Sequence, residues 1–117
     1  MAGKKKNKKK AAGLRHNVYV VLLDNEVLND RKFRDANPDH DPLKPCLYVG
    51  MTGNPPEERF RDHQRGHRSS SYVHKYGVRL LPELFEHLNP MTRAEAVEEE
   101  KDLANRLRRE GYAVRQA

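Results

Sequence analysis

Tryptophan is absent from this chain, cysteine occurs once, and only 7% of the residues are aromatic. The lone Cys46 allows neither an intrachain disulfide nor a thiolate zinc cluster, and beside a strand it reads as a small buried apolar residue. Hydrophobic residues make up 36% of the 117 positions, which bounds the chain to one domain with a thin core. No apolar run approaches the ~20 residues of a membrane span, and the first residues hold no hydrophobic signal region. The expectation is a soluble, intracellular protein with no membrane partner. Internal repeats, a Ser-His-Asp motif, a Walker loop and a dinucleotide fingerprint are also missing, which removes the commonest hydrolase and nucleotide-binding classes.

What is abundant is basic charge, and its location matters. Lys4, Lys5, Lys6, Lys8, Lys9 and Lys10 supply six of the 23 basic residues, and the 17 that remain balance the 17 acidic ones. The net charge of +6 therefore belongs to an appended tail, residues 1–13, and not to the body, residues 14–117. A tail of this kind is expected to be disordered and to attract polyanions without reading their sequence.

Along the body, residues 17–23 (NVYVVLL) read as a buried strand and residues 46–49 as a second strand paired with it. Between them, residues 29–45 are polar with three prolines and read as a long loop. Asn54 as N-cap, Pro55 at the first helical position and Glu57 at the third predict a helix to about Arg65, closed by Gly66. A short helix over residues 72–76 ends at Gly77, and residues 78–88 read as a third strand, with Pro82 arguing for an edge or a bulge. Thr92 and Glu95 form a capping-box pattern at the start of a helix to about Arg109, which Gly111 ends. Residues 112–114 are a short strand or a packed tail. The order β-β-α-α-β-α predicts an α/β (α+β) domain with a small, three-stranded, mainly antiparallel sheet flanked by helices.

Two places carry chemistry. The stretch from Leu47 to His63 joins a strand tyrosine, Tyr48, to two glycines, Gly50 and Gly53, that let backbone approach a ligand. Arg59 and His63 follow on one helical face. The last helix has an apolar stripe of Ala96, Val97, Leu103, Ala104 and Leu107, and Glu100 projects into its middle while Glu98 faces solvent. A buried carboxylate costs several kcal/mol (order of magnitude) unless it is paired or holds a metal. It reads either as an ion pair, with Arg59 a candidate partner, or as a ligand for a hard divalent cation. His63 and His67 have zinc-like spacing, but a convincing third ligand is missing.

The ordered set N-V-Y at 17–19, Y-V-G at 48–50, R-F-R-D-H at 59–63, the glutamate at 100 and G-Y at 111–112 resembles the GIY-YIG nuclease family over nearly everything after residue 15. The resemblance implies a three-stranded sheet flanked by helices and metal-dependent hydrolysis of phosphodiester bonds in DNA, with RNA as a further substrate class. It implies Tyr19, Tyr48, Arg59, His63 and Glu100 as catalytic residues. Glu100 is the ligand for Mg²⁺ or Mn²⁺ in that reading, and Tyr19 and His63 share the base role. Gly50, Arg61, Arg65, Arg68 and the six tail lysines would contact nucleic acid. Asn17 and Val18 depart from the family's first motif, Ala113 stands where several members have asparagine, and residues 20–47 make a much longer connection than the usual hairpin. With no second domain to read bases, structure-directed or weakly specific cutting is expected, or targeting by a protein partner, in a setting such as DNA repair, in the cytoplasm or on the nucleoid. The competing readings are a non-catalytic nucleic-acid-binding module of the same fold and a basic-tailed interaction protein whose Glu100 is merely salt-bridged.

Overall fold

The computed structural model describes residues 13–117, so the lysine tail lies outside the described residues. Among them, four strands form one mixed sheet in the order β3-β1-β2-β4. Strand β1 (Asn17–Leu23) runs antiparallel to β2 (Cys46–Thr52), with Tyr19 opposite Gly50 and Val21 opposite Tyr48. Strand β3 (Gly77–Leu80) is antiparallel to β1 at one edge, and β4 (Ala113–Gln116) is parallel to β2 at the other. The sheet thus has one strand more than the three expected. Residues 113–116 form a strand because their backbone pairs with β2, a choice that four residues cannot make from local propensity alone.

The helices are α1 (Arg31–Asp35), α2 (Pro56–Arg65), α3 (Ser71–Tyr76) and α4 (Arg93–Arg109). Helix α1 corrects the expectation of a structureless loop over residues 29–45. A 3₁₀ turn, Asn25–Asn29, and α1 are capped by Asp24 and Asp30, and each buries one apolar side chain, Val27 and Phe33. Helix α2 starts one residue later than predicted, at Pro56. Its cap position is Pro55 with no side-chain cap bond, while the Asn54 carbonyl is tied to the Asn17 side chain. Gly66, at φ 78°, closes α2 in the left-handed conformation that glycine tolerates. The third strand is shorter than predicted: Pro82 opens a 3₁₀ turn and does not continue a strand. The capping box of Thr92 and Glu95 on α4 forms in both directions.

Facing residues on neighbouring strands share a side of the sheet. Tyr19, Tyr48 and Gly50 lie on the side covered by α2 and α3, and Val49, Val114 and Gln116 on the side covered by α4. The core is mostly aliphatic, with Val18, Val20, Val21, Leu47, Val49, Leu103 and Val114 each at or near zero exposure. Val97, expected on the buried stripe of α4, is instead 48% exposed. The buried face runs through Ala96, Glu100, Leu103, Ala104 and Leu107. Among the described residues, no helix is long and apolar enough to cross a membrane.

Candidate active site

Helix α2 is almost entirely polar, and its one fully buried side chain is His63. An apolar residue would hold the helix more cheaply, so burial of an imidazole points to a specific use. His63 Nε2 lies 2.8 Å from the Tyr19 hydroxyl. Its Nδ1 accepts a hydrogen bond from the Ser70 backbone N–H at 3.1 Å. Burial holds the imidazole pKa down at about 4, from 6.5, and the Arg59 charge adds to the effect. The ring is therefore neutral near pH 7. With Nδ1 accepting, its one proton sits on Nε2, and His63 donates to the Tyr19 oxygen.

The two tyrosines and the histidine form one cluster. The Tyr19 and Tyr48 ring centroids are 6.3 Å apart, and those of Tyr48 and His63 are 5.7 Å apart, edge to face. The Tyr19 ring lies across Gly50, where a Cβ would come within 2.7 Å of the Tyr19 oxygen. The glycine after Tyr48 is thus explained by packing: Gly50 is buried and makes room for Tyr19, and its backbone is not laid open to a ligand. Burial pushes the Tyr19 pKa well above its ordinary value. The charges of Tyr48 and Glu100 push the same way, and Arg59 opposes them. Tyr48 is likewise raised by burial, with Glu100 raising it further and Arg59 and Arg115 opposing. The carboxylate of Glu100 is thus near enough to act on both phenols.

Glu100 is 8% exposed and turned toward the sheet, as the phasing of α4 predicts. Burial raises its pKa, and the hydrogen bond from Gln116 opposes this. That bond, Gln116 Nε2 to Glu100 Oε1 at 3.1 Å, is its one side-chain partner among the described residues. The Arg59–Glu100 ion pair is not formed: the ion pairs among the described residues are Arg31–Asp35 and Arg65–Asp62. A buried carboxylate with an amide neighbour and no cation fits a hard divalent ion, which takes carboxylate oxygen and keeps several waters. Among the described residues no group of three or more His, Cys, Asp or Glu side chains converges, so no closed protein cage is built. His63 is committed to Tyr19 and Ser70 and is not paired with His67 as a metal ligand.

Arg59 is half-buried, and its guanidinium donates to the carbonyls of His67 and Arg68, at 3.5 Å and 2.8 Å. It holds the turn after α2, in which Arg68 adopts a left-handed φ of 48°. Arg61, Arg65 and Arg68 are exposed, Arg65 being paired with Asp62. Gln116 escaped the sequence reading. Only the pairing of β4 with β2 brings a residue sixteen positions later onto Glu100.

Comparison of the chain with protein-family models, with curated proteins and with solved structures finds no match.

Proposed function

We propose that this protein is a metal-dependent endonuclease of the GIY-YIG type that hydrolyses phosphodiester bonds in DNA. The observation that carries the reading is the buried, cation-free carboxylate of Glu100, packed against the sheet within electrostatic reach of Tyr19 and Tyr48, together with the Tyr19–His63 hydrogen bond. A divalent cation, Mg²⁺ or Mn²⁺, held by Glu100 would supply Lewis-acid stabilisation of charge at the phosphate and the leaving oxygen.

The other roles belong to the chain's own groups. His63 donates Nε2–H to the Tyr19 oxygen, so its part is to hold that oxygen and to favour its anionic form. It does not take the tyrosine proton through Nε2, which refines the joint base role expected of the pair. The Tyr19 O–H is then free to point at the attacking water and orient it. Its raised pKa keeps the hydroxyl protonated until substrate binds. Tyr48, at the rim of the same cluster, hydrogen-bonds the phosphate or the water. Arg59 contributes a planar cation to the developing charge, with the remaining donors of its guanidinium. Gln116 fixes the rotamer of Glu100. Arg61, Arg65 and Arg68 contact the sugar-phosphate backbone without reading bases, as the tail lysines would. The setting that fits is the cell interior, with structure-directed cutting or recruitment by a partner.

The test is incubation of flap, branched and linear DNA with the wild type and Glu100→Gln, with Mg²⁺ and with EDTA. Wild type with Mg²⁺ should cut, and the other three combinations should not. Equal cutting by the variant would refute the role of Glu100, and no cutting of any substrate by the wild type would favour a binding module of the same fold.

A further inference from the structure

We propose that Arg115 is a substrate-binding residue of this site, gripping a phosphate of the DNA strand on the β4 side, opposite Arg59. The inference rests on reading the site as one for nucleic acid.

Arg115 faces Tyr48 across the β2–β4 pairing and so shares its side of the sheet. The guanidinium carbon lies 4.8 Å from the centroid of the Tyr72 ring, a cation–π contact that fixes its direction. Tyr72 in turn leans on the buried Phe33 of α1, with centroids 6.1 Å apart. Arg115 is exposed, and among the described residues its guanidinium makes no hydrogen bond and no ion pair. Its charge nevertheless reaches Tyr48 and Tyr72, where it opposes the rise in pKa that burial causes. Arg59, by contrast, already donates to two backbone carbonyls. Arg115 is therefore the cation next to the tyrosine cluster with its forked donors open, and a phosphate oxygen pair is the partner that geometry suits.

The long connection between the two tyrosine motifs acquires a role from this. The side chain of Asn37 bonds both backbone groups of Val114, the residue before Arg115, and Phe33 supports the ring beneath the guanidinium. The insertion is the brace that sets β4 and Arg115 against the site.

The experiment measures binding of a short fluorescein-labelled DNA duplex by anisotropy, over a salt series, in the full chain carrying Glu100→Gln to prevent cleavage. Adding Arg115→Gln should weaken binding about tenfold, the size of a lost charge-assisted pair, and lower the salt slope by about one. Arg115→Lys should restore the slope with only part of the affinity. Tyr72→Leu keeps the charge and the packing on Phe33, and should lose affinity without changing the slope. Arg79→Gln, at the opposite edge of the sheet and paired with Leu22, should change neither. With Glu100 restored, Arg115→Gln should raise KM by a similar factor and leave kcat nearly unchanged. An Arg115→Gln protein that binds like Arg79→Gln overturns the assignment. If the wild type cuts nothing yet the binding series behaves as described, the nuclease reading fails and Arg115 stands.

Discussion

The polar side chains packed on this sheet are of two kinds, which differ in whether their bonding is closed. At the β4 edge, the Asn37 amide donates to the carbonyls of Phe33 and Val114, and its oxygen accepts from Val114 N–H and Arg108 Nε. Both donors and both lone pairs are engaged within the protein. Asn89 clasps Val18 on β1 with one bond each way, donating to its carbonyl and accepting from its N–H. The second kind is open: Tyr19 accepts from His63 and retains a hydroxyl proton to donate, and Glu100 has one amide neighbour for a whole carboxylate. A closed network stabilises and specifies the fold. An open one costs stability and persists where something outside the chain completes it.

The sharpest way to break that comparison is Glu100→Gln. On the proposed function, in which Glu100 holds the metal, the substitution should reduce cleavage about a thousandfold, roughly 4 kcal/mol of barrier. The melting temperature in EDTA should rise, since a buried charge is replaced by a neutral amide that can still accept from Gln116. Added Mg²⁺ should raise the melting temperature of the wild type and not of the variant. A variant that melts lower in EDTA would place Glu100 in the closed class.

Asn37→Ala should show the opposite pattern. Removing the hub takes the acceptor from Val114 N–H and Arg108 Nε, while the Val114 carbonyl keeps Arg108 Nη2, at a cost of about 3 kcal/mol. Urea unfolding should register the loss as a lower midpoint, and the folded fraction should keep its kcat with a raised KM as the brace behind Arg115 loosens. An unchanged midpoint would show that water replaces the amide and that the brace is dispensable.

Acid should weaken the His63 network. Its pKa of about 4 in the folded protein lies below the 6.5 of a free imidazole, so the unfolded chain takes up the proton first. The contribution is complete above pH 6.5 and is lost as pH falls toward 4, by up to about 1.4 kcal/mol per pH unit in that window. Chemical denaturation at a series of pH values should show this slope in the wild type, and a flatter one in His63→Gln. Identical slopes would mean that water reaches the ring.

The smallest effect on stability should come from deleting residues 1–10. The melting temperature should hold, and the salt slope of DNA binding should flatten by at most about five, six charges at about 0.9 each. An unchanged slope would leave the tail without a part in binding.

Much of this architecture is legible along the chain because it is written in local signals. The β-branched run at 17–23 formed β1, Thr92 and Glu95 formed their capping box, and Gly66 closed α2. Helical phasing placed Glu100 on the buried face, since the 3.6-residue period depends on the helix alone. Other features have no local signal. A single buried apolar residue in each short turn, Val27 and Phe33, makes no period, so helix α1 was invisible. The strand at 113–116 exists through its pairing with β2, and that pairing brings Gln116 to Glu100 and Arg115 beside Tyr48. The room that Gly50 leaves for Tyr19, and the tautomer of His63, depend on atoms more than thirty and seven residues away along the chain. Period and capping operate within a turn or two of backbone. The direction of a hydrogen bond, and the choice of which carboxylate lacks a cation, follow from contacts between segments that only the folded chain brings together.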